Sequence, residues 1–152
     1  MVPIAHRPES SEPEKLGLEP SQVPEDPIET EETRGPPTPA EVEEEIGREV
    51  LSILEQSYGQ SYGKGAARAQ TIVTDDWVIV VLDDLELLPN EQFLVDRGEQ
   101  ETVAHVRTMY QHAIQANFSA AIERSTGRRV IGFASTTAVE PPRFMAEVFK
   151  LE

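Results

Sequence analysis

From Val42 onward the apolar positions switch between two periods. Val42, Ile46, Val50, Ile53 and Leu54, with Ser57 completing the stripe, recur at spacings of three and four, while Glu44, Arg48, Glu55 and Gln56 fall on the other side. That is an amphipathic helix. Its start is marked by Thr38 as N-cap, Pro39 at the first helical position and Glu41 three residues after the cap, a capping box. Acids at Glu41, Glu43, Glu44 and Glu45 suit the positive end of the helix dipole, and Gly59 is the predicted stop. Two β-rich runs follow, Ala67 to Val73 and Trp77 to Leu82, separated only by Thr74-Asp75-Asp76. So short a link predicts an antiparallel hairpin. Nearly every position of its second strand is apolar, which predicts a central strand at least partly covered on both faces.

After an acidic connection from Asp83 to Leu88 the helical period returns. Gly98 divides it into a short helix, Asn90 to Arg97, and a long one from Glu99 to Thr126. The stripe of Val103, Val106, Tyr110, Ala113, Ile114, Asn117, Ala121 and Ile122 is expected to lie on the sheet, and Gly127 is the expected C′ residue. Two more strands, Arg129 to Ala138 and Arg143 to Leu151, are joined through Val139-Glu140-Pro141-Pro142, where consecutive prolines impose a turn. The order α-β-β-α-α-β-β predicts an α+β fold of two layers: a four-stranded, mostly antiparallel sheet with helices on one face.

Composition separates residues 38–152, the predicted domain, from residues 1–37, which hold eight of the twelve prolines and nine acids against three bases. Such a segment buries too little apolar surface to offset chain entropy, so a disordered acidic tail is predicted. The net charge is -15, which argues against nucleic acid as a partner of the whole surface. The absence of cysteine excludes disulfides, thiolate metal sites and cysteine nucleophiles. The longest apolar run, Trp77 to Leu82, falls far short of the roughly 18 residues that span a bilayer. The opening residues carry no secretion-type hydrophobic stretch, and a cytoplasmic location, at most peripheral to the inner face of a membrane, is expected.

Candidate chemistry is sparse. His105 and His112 stand seven residues apart, about 10 Å along a helix, too far for one ion; Glu101 has ligand spacing to His105 but no third ligand. No metal site and no cofactor are predicted. Gly63-Lys64-Gly65 lacks the strand-before, helix-after context of a phosphate loop, so a flexible turn is expected. Asp75-Asp76 and Asp83-Asp84 are acid pairs of a kind that binds divalent cations, yet each lies where aspartate favours turns. Ser135, Thr136 and Thr137 have no nucleophile elbow around them. Arg124, Arg128 and Arg129 are the one basic concentration of the domain, suited to capping the helix end and pairing with surface acids, or to docking an acidic partner or a phosphate-bearing ligand.

The segments Tyr62-Gly63-Lys64-Gly65-Ala66, Ile72 with Asp75-Asp76 and Val78 to Leu82, then Glu91, Leu94, Gly98, Val103, Phe118 and Glu123, then Thr126-Gly127-Arg128-Arg129-Val130 and the ending Glu147 to Glu152, resemble the MpsC family in order and spacing. That family is named for a sodium-translocating membrane-potential-generating system, and the resemblance spans nearly all of residues 42–152. It implies a small bacterial domain associated with membrane proteins that support membrane potential or inorganic-carbon uptake. Two positions depart from the family pattern. Leu88-Pro89-Asn90-Glu91 lacks the capping hydroxyl of a Thr-Pro-x-Glu start, and Ser135-Thr136 stands where Ser-Asp is usual. The expected role is a non-enzymatic accessory or regulatory domain that binds a protein partner, such as a membrane-complex subunit, with Arg124, Arg128 and Arg129 docking it. A homodimer is compatible with the two sheet edges and the second face of the long helix. The alternatives are a small-ligand or metal-binding enzyme using Asp75, Asp76, His105 or the arginine cluster, and a stress or scaffold protein acting through its acidic tail.

Overall fold

The computed structural model describes Gly17, residues 34–58 and residues 68–152. Apart from Gly17 and residues 34–37, the predicted tail lies outside the described residues, as does Gly63-Lys64-Gly65. The domain orders its elements α1 (Pro39–Tyr58), β1 (Arg68–Val73), β2 (Trp77–Asp83), α2 (Pro89–Val95), α3 (Gln100–Ala113), α4 (Gln115–Thr126), β3 (Val130–Ala138) and β4 (Phe144–Leu151).

At the start of α1 the capping box is formed in both directions. The Glu41 amide donates to Thr38 Oγ1 at 3.3 Å, and the Glu41 carboxylate accepts the Thr38 amide at 2.7 Å. Ile46 and Val50 are fully buried, whereas Ser57 is exposed. Between them Gly47 lets the helix backbone come close to β1: a Cβ there would lie 3.2 Å from Thr71 Oγ1 and 3.4 Å from Ala69 Cβ. The Glu43 carboxylate accepts the Val73 amide at 3.0 Å, which ties helix and strand at a second point.

The sheet is entirely antiparallel, in the order β1-β2-β4-β3, so the second hairpin contributes its last strand to the centre. Period-2 alternation assigns its faces. Val78, Val80 and Leu82 of β2 pair with Phe149, Glu147 and Met145 of β4, and all six are buried beneath the helices. Phe118 of α4, Phe133 of β3 and Phe149 of β4 form an aromatic cluster there, with ring centroids 5.2 to 6.4 Å apart. The opposite face carries Ile72, Ile79, Val81, Ala134, Thr136, Ala146 and Val148, and among the described residues no helix packs on it. β2 is a central strand, as expected, with one face fully buried and the other, at Ile79 and Val81, half-buried.

The predicted long helix is two helices, broken at Ile114 (φ -104°, ψ 8°) with neither glycine nor proline at the break. A straight helix over residues 100–126 would measure about 40 Å, whereas a nine-residue strand spans about 30 Å. The bend keeps both halves on the sheet, α3 over β3 and α4 against α1. It also moves the buried stripe. In α3 the buried residues are Val103, Arg107 and Gln111, while Val106 and Tyr110, expected in the core, are 42% and 49% exposed, and Ala113 and Asn117 are exposed as well. In α4 the expected Ala121 and Ile122 are buried beside Phe118.

A buried ion pair explains how α3 turns polar residues inward. Arg107, 1% exposed, donates through Nε and Nη2 to the two Glu91 carboxylate oxygens at 3.0 and 2.7 Å, and through Nη2 to the Glu86 carbonyl at 2.9 Å. Glu91 also accepts the Leu88 amide at 2.8 Å. Half of a capping box therefore survives at α2 without the hydroxyl, and the same carboxylate fastens α2 to α3. Gly98 (φ +82°) and Gly127 (φ +67°) hold the left-handed positions at their helix ends, as predicted.

Candidate functional site

The basic residues meet at the C-terminal end of α4. Gly127 turns the chain there, which brings Arg124 of the last helical turn near Arg128 and Arg129 at the approach to β3. Each guanidinium has a partner within the domain. Arg124 donates to Glu49 of α1 at 2.7 Å, Arg129 donates a fork to the Glu152 carboxylate at 2.8 and 2.7 Å, and Arg128 donates to the Glu152 carbonyl. The fork holds the Glu152 carboxyl below its usual range and raises Arg129. The side chains of Arg124 and Arg129 are 64% and 66% exposed, so solvent screens both pairs and each is open to competition from another carboxylate.

Beside this corner lies an open cleft of about 360 Å³. Pro37, Pro39, Val42, Val73 and Leu151 contribute apolar wall, and Thr74, Asp75, Ser125, Thr126 and Arg128 contribute polar groups. The cleft thus brings together Arg128 and Asp75, two of the residues marked in the sequence. Asp75 and Asp76 occupy the β1-β2 turn, which is closed by the Thr74 amide donating to the Trp77 carbonyl at 2.8 Å. Asp76 faces Lys150 at 3.5 Å. His105 is exposed on α3, and His112 sets its ring edge-on to Phe133 at 5.1 Å. Among the described residues no group of three His, Cys, Asp or Glu side chains is arranged to hold a metal ion.

A second polar site was not marked in the sequence. Glu147 is fully buried at the centre of the covered face, between Met145 and Phe149 on its own strand and opposite Val80. Ser135 Oγ donates to its Oε1 at 3.1 Å, and Oε2 has no hydrogen-bond partner among the described residues. Burial pushes its carboxyl up to about 8, against a smaller opposing effect of the Ser135 hydrogen bond. The group is therefore mostly protonated at neutral pH. One signal for it was present: in Met145-x-Glu147-x-Phe149-x-Leu151 a lone acid occupies a core-facing position of an alternating strand.

The family model described as "Na+-translocating membrane potential-generating system (MpsC)" matches residues 39–152, the whole folded domain. The chain belongs to the MpsC family. No significant match is found among curated proteins or solved structures. Of the two positions noted in the sequence, Leu88 keeps only the Glu91 half of a capping box, and Thr136 lies on the sheet face away from the helices, opposite Ala146, whereas Ser135 points beneath the helices to Glu147. Among the described residues no helix is long and apolar enough to cross a membrane.

Proposed function

We propose that this MpsC domain is an accessory or regulatory component of a membrane-potential-generating system, acting through protein contact rather than chemistry, and that it docks a membrane-complex subunit at the arginine corner. Family membership supplies the system; the observation that supports the docking surface is the cleft. Its apolar wall and Arg128, flanked by Arg124 and Arg129, suit a segment that presents apolar side chains beside a carboxylate. On a chain with a net charge of -15, this corner is where an acidic segment meets cations at close range, by exchanging with Glu49 or Glu152. Any ion path through a bilayer would then belong to the partner.

The test is crosslinking in the native host followed by purification of the tagged full chain. Recovery of an integral membrane protein, lost in the Arg128→Glu variant with unchanged circular dichroism, is expected. Recovery of the chain crosslinked to itself alone would count against the proposal.

A further inference from the structure

The face of the sheet opposite the helices is apolar, and none of the described helices packs on it. Its central rows are Ile72, Ile79, Val148 and Ala134, and Gln70, Val81, Ala146 and Thr136, each running across all four strands. Trp77 and Phe144, 42% and 37% exposed, stand at opposite ends of the central strands, and Ile72 is 53% exposed on the β1 edge. Charge is confined to the ends. Lys150 lies over the Trp77 ring at 4.5 Å, and Arg68 pairs with Asp83 at 3.2 Å.

We infer that this face is a self-association surface, and that its occupant is the same face of a second copy. Charge is the first reason. Two chains of net charge -15 repel, and a face whose acids are each paired, Asp83 with Arg68 and Asp76 with Lys150, lets them approach without juxtaposing uncompensated negative charges. Shape is the second. The middle of the face holds small and β-branched side chains, and its one long polar group, Gln70 on the β1 edge, is drawn to Asp83 at 2.8 Å; two sheets of such composition pack about 10 Å apart.

Area sets the strength. Four strands about 4.8 Å apart and seven residues long give a face of about 450 Å², so about 900 Å² is covered in a pair before Trp77 and Phe144 add their rims. Specific interfaces begin at about 1,000 to 1,200 Å², so the dimer is a weak, concentration-dependent one. Formation in the micromolar range follows, rather than an obligate pair.

The absence of native cysteine permits a clean test on the full chain. Sedimentation equilibrium is expected to show the mass rising from 16.9 kDa toward twice that value as concentration rises from about 10 µM to about 1 mM. Ile72→Lys should weaken association at least tenfold, a difference of about 1.4 kcal/mol. A short bismaleimide should couple Ala146→Cys, at the centre of the face, far more efficiently than Met109→Cys on the exposed side of α3. Monomer throughout the range would overturn the inference. So would association that resists Ile72→Lys, or preferential coupling through Met109→Cys, which would assign the contact to the helical side. All three variants are checked for native circular dichroism, and the Ala146→Cys comparison stands if Ile72→Lys fails to fold. The outcome is independent of partner capture at the arginine corner.

Discussion

Replacing Glu147 with Gln should stabilise the domain, increasingly so as pH rises. The folded chain keeps this carboxyl protonated up to about 8, whereas in the unfolded chain it ionises near 4.5. Between those values the folded state binds a proton that the unfolded state has released, so this group lowers stability as pH rises through the window. Each pH unit in the window is worth about 1.4 kcal/mol, which gives a cost of about 3 kcal/mol at pH 7 and about 5 kcal/mol above pH 8. Glutamine has the shape of the neutral acid, can accept the Ser135 hydrogen bond and never ionises. Urea denaturation of both proteins at pH 5, 7 and 9 measures the difference. It should be under about 1 kcal/mol at pH 5, about 3 at pH 7 and about 5 at pH 9, with the pH 7 value raising the melting temperature by about 10 °C. A difference that stays constant from pH 5 to 9 would refute the protonated, buried state of Glu147.

Four further variants probe the frame. Arg107→Ala leaves Glu91 buried without its ion-pair partner and should cost about 3 to 5 kcal/mol in urea denaturation, while the double change Arg107→Met with Glu91→Leu should recover most of that loss. Thr38→Ala removes the acceptor for the Glu41 amide and should cost about 1 kcal/mol, seen as faster amide exchange confined to the first turn of α1. Gly47→Leu must push α1 away from Thr71 and Ala69 and should lower stability by about 1 to 3 kcal/mol in thermal melts.

The parts of the fold that were legible in the sequence are those set by local chemistry. Thr38 and Glu41, the Thr74-Asp75-Asp76 turn, Gly98 and Gly127 each satisfy backbone groups within a few residues of themselves, so their signals are compact. The break at Ile114 carries no such signal, because it answers to the length of a sheet assembled from distant strands. The inward face of α3 was misjudged for a similar reason: Arg107 can be buried only because Glu91, 16 residues earlier, meets it. At the candidate site the clustering of the three arginines was readable from their proximity in sequence. Their partners were not, since Glu49 lies 75 residues from Arg124 and Glu152 lies 23 from Arg129. Glu147 differs from these cases. Its place in an alternating strand marked it as inward-facing, but its unpaired burial appears only when β2 and β3 flank it.

Docking to a protein of the membrane system can be measured by co-sedimentation of the purified full chain with native membrane vesicles. Saturable binding is predicted, abolished by protease treatment of the vesicles and reduced at least tenfold by Arg124→Glu with Arg129→Glu. Equal binding to vesicles of extracted lipid alone, or no binding to native membranes, would contradict it.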